Sequence, residues 1–193
     1  METVSAGCQV FGAAACVGTD IEVLIRQNLD AVVRTEDTAL TAFTDGCPGL
    51  RRVLADAGVA GPPVLDWFHV ASPLQQLKQI AGALSTDNPP RVAAKAVIVE
   101  DVERLRWRIS NGKARNAKRS IDRIRKVMGV FKGERSHRTT GVPSRKLWHA
   151  LHEVDNYLRS QSSWLVNYAK RYRGGLRVGT SVTEGTVNFL VNR

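Results

Sequence analysis

The residue types best suited to chemistry in this chain are carboxylates at the ends of apolar runs, where they could hold a hard divalent cation. Asp45 closes the run over residues 39–44 and is followed by Gly46. A carboxylate at the carboxyl end of a strand sits where open α/β sheets bind ligands, although Asp-Gly is also ordinary turn chemistry. Asp66 and His69 fall inside residues 64–70, which read as a strand. Alternation sets Asp66 and Phe68 on one face and Trp67 and His69 on the other. A charge inside such a run is costly unless paired or coordinating, so the two are either a working pair or a hydrogen-bonded edge pair. Glu184 lies in residues 180–188, which read as a helix start with Ser181 or Thr183 near the cap; an acid there also suits the helix dipole. His149 and His152 share one helical face without a third ligand nearby, which favours an ordinary helix surface. Cys8, Cys16 and Cys47 follow no metal-ligand spacing and read as reduced, buried small residues. No phosphate-binding glycine loop is present.

These side chains need elements to hold them. Residues 1–17 read as two short strands, and residues 20–33 as a helix with Ile21, Leu24, Ile25 and Leu29 at helical spacing. A strand over 39–44, a helix over 48–57, a strand over 64–70 and a helix opened by Ser72-Pro73 follow. That alternation indicates α/β packing with parallel neighbours. After Asn88-Pro89-Pro90 the pattern changes. Ile98, Val102, Leu105 and Ile109 make one apolar stripe, and Ile121, Ile124, Met128 and Phe131 make another, joined near Asn111-Gly112. Leu147, Leu151, Val154 and Leu158 define a third helix with Ser144 as candidate cap. No strand pattern appears between residue 90 and about residue 176, and Gly174-Gly175 reads as a turn.

The net charge of +10 is unevenly spread. Acids predominate up to Asp45, whereas bases crowd the stretch from Arg104 to Lys146. Such asymmetry suits a polyanion, most simply nucleic acid, because each neutralised phosphate releases counterions; a solvated helical face is the plainer account. The candidate DNA-binding residues are Arg104, Arg108, Lys113, Arg115, Lys118, Arg119, Arg123 and Lys126, with Lys170, Arg171 and Arg173 further on. Trp107, Trp148, Trp164, Tyr168 and Tyr172 lie among basic residues and could stack on nucleobases, although the spacing of the last three also suits core contacts. No apolar run reaches the ~20 residues that cross a bilayer, and the first residues lack the pattern of a secretory signal. A cytoplasmic location and no membrane partner are expected.

Taken together, four ordered stretches resemble a known family. Thr44-Asp45-Gly46 before a helix, Leu65-Asp66-Trp67-Phe68-His69, Asn167-Tyr168-Ala169-Lys170-Arg171-Tyr172-Arg173, and Glu184 before Thr186-Val187-Asn188 are similar to bacterial insertion-sequence transposases of the DDE type. The likeness covers the chain from about residue 39 onward. It implies an α/β fold with a partial RNase H-like mixed sheet, interrupted by a large helical insertion before the last catalytic acid. Asp45 then matches the second catalytic aspartate and Glu184 the catalytic glutamate, both as metal ligands. Asp66 and His69 match the D-x-x-H signature of Mutator-like relatives. In such enzymes carboxylates hold two Mg²⁺ (or Mn²⁺) ions that stabilise the entering and leaving oxygens of a phosphodiester.

The resemblance also implies a division into a truncated core at residues 1–88, a basic helical insertion at 89–175, and the start of a core helix at 176–193 carrying Glu184. The first aspartate has no counterpart: Asp20 falls at a helix start and Asp30 within a helix, neither of them a strand position. The implied function is that of a truncated DDE transposase. Its parent activity is metal-dependent DNA cleavage and strand transfer during transposition. This chain is expected to be inactive alone, with DNA as partner and a homo-oligomer forming on it. The alternatives are a non-catalytic nucleic-acid-binding module that uses only the basic helices, and a structure-specific nuclease of the same fold.

Overall fold

The computed structural model describes residues 20–31, 40–59, 61–132 and 142–180. The described chain divides into two compact units, one made of the residues up to Val64 together with Thr180, the other running from Leu65 to Gly179. It is mostly helical, and its one sheet among the described residues is a parallel pair of short strands. The α/β expectation therefore holds only in that coarse sense.

In the first unit, α1 (Ile21–Ala31) packs on α2 (Pro48–Asp56), and Arg26 Nη2 donates to the Asp56 carbonyl at 2.6 Å. Between them lies β1 (Phe43–Thr44), which pairs with β2 (Val64–Leu65); the Val64 amide donates to the Ala42 carbonyl at 2.8 Å. Both strands are shorter than the sequence predicts. The first ends because Gly46 turns the chain at φ 99° and Pro48 opens a helix immediately afterwards. The two strands expected in residues 1–17 lie outside the described residues.

The second strand stops for a different reason, and the strand expected over 64–70 is corrected here. Asp66 has extended dihedrals, and its carboxylate accepts from the Phe68 amide at 2.8 Å, which makes it the N-cap of α3 (Trp67–Gly82). Val70, Leu74, Leu77 and Ala81 are the buried residues of that helix, spaced at helical rather than strand period. Pro73 lies inside α3, not at its start.

The remaining helices of the second unit follow the stripes closely. Asn88 caps α4 (Pro89–Ser110) by accepting from the Arg91 amide at 3.0 Å. Gly112, at φ 70°, turns the chain into α5 (Ala114–Val127), which runs on through a 3-10 turn at Met128–Phe131. Pro143 opens α6 (Pro143–Ser160), so Ser144 is not the cap expected of it; it lies within the first turn, fully buried, and Val142 holds the cap position. A 3-10 turn (Ser162–Trp164) and α7 (Tyr168–Arg173) complete the unit. Helix α3 packs on α4 and α6, and α5 packs on both α4 and α6. The core they enclose includes Leu77, Ile98, Leu105, Ile124, Phe131, Leu147 and Leu151, none more than marginally exposed. Each such side chain removed from water contributes about 1.5–3 kcal/mol before entropy is counted. Helix α3, which the sequence division assigned to the segment before residue 88, thus shares this core.

Candidate functional site

Asp45 sits at the carboxyl end of β1, exposed, with its Oδ1 accepting the Cys47 amide at 2.8 Å. That bond is an Asx turn, and it aims the residue out of the strand end just before α2. Glu184, the other expected metal ligand, lies outside the described residues. Asp20 is exposed just before α1 and Asp30 exposed within it, so neither stands on a strand. Among the described residues no group of three His, Cys, Asp or Glu side chains gathers as a metal seat. Asp45 fits Mg²⁺ or Mn²⁺ as a hard, solvent-facing oxygen donor.

Asp66 is buried, in keeping with a capping role, while His69 is exposed on the first turn of α3, with its ring at an edge-on 5.8 Å from Phe68. The two stand at the cap and in the first turn of a helix, not on opposite faces of a strand. Instead Asp66 lies at a junction of three segments. The Trp67 amide donates to the Val178 carbonyl at 3.0 Å, and Gly179 passes so close that a Cβ there would collide with Asp66 Oδ1. Tyr168, from α7, donates its hydroxyl to the Leu65 carbonyl at 2.9 Å and packs its ring 4.8 Å from that of Trp67. Burial, and then the neighbouring Tyr157 and the charge of Asp66, push the Tyr168 phenol well above its ordinary value. This junction gives two residues structural roles: Asp66 caps α3 and Tyr168 pins its start.

The basic stretch separates into two populations. Asp101 and Asp155 are buried carboxylates on the inner faces of α4 and α6. Asp101 is met by Arg123 at 3.0 Å and by Arg104 at 3.3 Å, and Arg104 also pairs with Glu100. Asp155 is met by Arg125 and Arg159, both at 2.7 Å, and by Lys118 at 3.5 Å. Burial works against the charge on Asp155, but the hydrogen bonds from Arg159 and Arg125 and the charges of Arg125 and Lys118 outweigh it. Its carboxyl is held below the usual range. Arg108 braces the α4–α5 corner by donating to the Asn116 carbonyl and to Ser120 Oγ at 2.9 and 2.7 Å. Of the expected DNA contacts, Arg104, Arg108, Lys118 and Arg123 are therefore engaged within the chain.

Arg115, Arg119, Lys126, Lys170 and Arg173 are exposed and make no ion pair among the described residues. Lys113 lies 4.4 Å over the exposed ring of Trp107, and Arg171 donates Nε to the Arg177 carbonyl at 3.3 Å. Tyr168 is core, whereas Tyr172 is 75% exposed. His149 and His152 are both exposed on α6, the latter beside Asn156. The sequence did not single out Asp101, Asp155, Arg125 or Arg159 as a set. The signal available was an acid on an apolar stripe: Asp101 stands between Ile98 and Leu105, and Asp155 between Leu151 and Leu158, at helical spacing. No helix of the described residues is long and apolar enough to cross a membrane. Comparison with protein-family models, with curated proteins and with solved structures gives no match for this chain.

Proposed function

We propose that this chain derives from an RNase H-like DDE transposase core and works on DNA. The observation that carries the reading is Asp45, solvent-facing at the carboxyl end of β1 and followed directly by a left-handed glycine and a helix. That is a position from which a carboxylate can meet a metal-bound phosphodiester. The ordered likeness of the stretches around Asp45, Asp66, Tyr168 and Glu184 supports it, as does the exposed positive charge of α5 and α7.

Asp45 and Glu184 would hold Mg²⁺ or Mn²⁺, which supplies charge stabilisation to the entering and leaving oxygens of the phosphodiester. The residues of the chain itself hold DNA through the exposed cations and orient Asp45 through its bond to the Cys47 amide. With two acids matched rather than three, DNA binding without turnover is the expected behaviour of this chain. A second reading, a non-catalytic nucleic-acid-binding module, is favoured by one observation: Arg115, Arg119 and Lys126 all lie exposed on α5 without an ion-pair partner among the described residues.

Calorimetric Mn²⁺ titration together with oligonucleotide binding tests the choice. Asp45→Asn and Glu184→Gln are each expected to weaken Mn²⁺ binding at least tenfold while leaving the chain folded and able to bind DNA. If neither substitution changes Mn²⁺ binding, the catalytic ancestry fails and the binding module stands. Mg²⁺-dependent cleavage that Glu184→Gln abolishes would show that a third acid is in place, overturning the expected inactivity.

A further inference from the structure

A groove of about 880 Å³ opens between the start of α5 and the end of α6. Its charged lining is Lys113, Arg115, Lys118 and Arg159 against the single carboxylate Asp155. Buried Asp155, bonded to Arg159 at 2.7 Å, holds that cation in place, and Lys118 is held between Asp122 at 2.7 Å and Asp155 at 3.5 Å, while Lys113 and Arg115 keep the groove positive. Cations ordered before binding lose less freedom when a ligand arrives. The first turn of α5 points into the same end, and no side chain caps it, so its dipole adds to the field there. Ser162 and Ser163 add hydroxyl groups along the opposite wall, and apolar side chains such as Ile121 and Leu158 form part of the lining. Beside the entrance, Trp107 is 54% exposed beneath Lys113, a ready platform for a base.

We infer that this groove seats the phosphodiester backbone of a DNA strand. The inference rests on the reading above that the chain works on DNA, and it assigns the contact to one face of the second unit. A lone inorganic anion would leave most of such a volume empty, whereas a strand uses the cations spread along the rim and the apolar surface between them. Arg159 and Ser163, which the sequence did not mark, join Lys113 and Arg115 in the contact.

The test compares two double substitutions that remove equal charge. Lys113→Gln with Arg115→Gln empties the groove rim; Arg52→Gln with Lys132→Gln removes two exposed cations that neither line it nor belong to the candidate DNA contacts. Binding of fluorescent single-stranded and duplex oligonucleotides is followed by anisotropy from 50 to 200 mM salt, with circular dichroism confirming the fold. Losing two phosphate contacts flattens the salt dependence, so the fourfold rise in salt should cost the groove variant about tenfold less affinity than it costs the wild type. The control should keep a slope closer to that of the wild type. Ser163→Glu, which removes no cation, should also weaken binding. Equal slopes for the two double variants, or unchanged binding by Ser163→Glu, would overturn the groove while leaving DNA binding intact. No DNA binding by the wild type would overturn both.

Discussion

Asp155→Asn removes one charge from the point where α5 and α6 meet, and its cost follows from the burial of each partner. The Asp155 side chain is 3% exposed, while Arg125, Lys118 and Arg159 are 25%, 42% and 61% exposed. Deleting one member of a fully buried pair costs about 3–5 kcal/mol, because the survivor is stranded away from water. Here the survivors reach solvent and the asparagine carbonyl keeps one acceptor, so the loss is that of the charge-assisted bonds alone, about 2 kcal/mol. With a urea dependence of about 2 kcal/mol per molar, the unfolding midpoint should fall by about 1 M. Asp122→Asn is the control: it lies on the same ion-pair network but is 55% exposed, and should cost below about 1 kcal/mol. The pH dependence carries the sign. The Asp155 carboxyl is depressed in the folded state, so its contribution is complete above the unfolded value of about 3.9 and is lost as pH falls through the folded one. The gap between wild type and Asp155→Asn should therefore hold from neutral pH to about pH 4 and close below it. A substitution no more costly than Asp122→Asn, or a gap that widens on acidification, would refute this account.

Tyr168→Phe should lower stability by about 1 kcal/mol in urea titration, since it leaves the Leu65 carbonyl without its 2.9 Å donor. Because the phenol is raised in the folded state, that stabilisation is complete below about pH 10 and declines above it, so the variant and wild type should converge in alkali. Gly112→Ala should cost about 2 kcal/mol by thermal melting, since φ is 70° and the new Cβ would stand 3.0 Å from that of Asn167. Gly129→Ala, with nothing within 4 Å of its Cβ, should be near neutral or stabilising. Asn88→Ala should cost about 1 kcal/mol and Asn88→Asp much less, read by the same melts, if the side chain's bond to the Arg91 amide is what starts α4.

The helical half of the chain was legible because one face of each helix is apolar at a period of 3.6, and the stripes led to α4, α5 and α6 directly. The start of α3 was not. Val64, Leu65, Trp67, Phe68 and Val70 read equally as a strand, and a seven-residue window cannot separate the two periods. What decides it lies further on, where Leu74, Leu77 and Ala81 continue from Val70 at helical spacing, and in Asp66 itself, whose short carboxylate can satisfy an amide that a strand would have paired elsewhere. The strand end at Asp45 was legible because apolar run, acid, glycine and proline follow in order. The junction around Asp66 was not, because it joins residues far apart in sequence, Leu65 with Tyr168 and Trp67 with Val178, and no local pattern reports such a pairing.

The same distinction governs how a basic sequence should be read. Counted along the chain, the run from Arg104 to Lys146 suggests a continuous polyanion-binding face. Folded, two buried aspartates that flank it in sequence each gather cations inward: Arg104 and Arg123 at Asp101, and Lys118, Arg125 and Arg159 at Asp155. A carboxylate so placed has two effects. It lets α5, dense in cations, pack against α6, because Lys118 and Arg125 of α5 meet a carboxylate where the two helices join. It also sorts the cations, since those drawn to it are ordered and partly neutralised while Arg115, Arg119 and Lys126 are left to solvent. Net charge therefore overstates the exposed positive surface, and it hides where that surface is best organised. The organised part is the groove rim, where ordered and solvent-facing cations stand side by side.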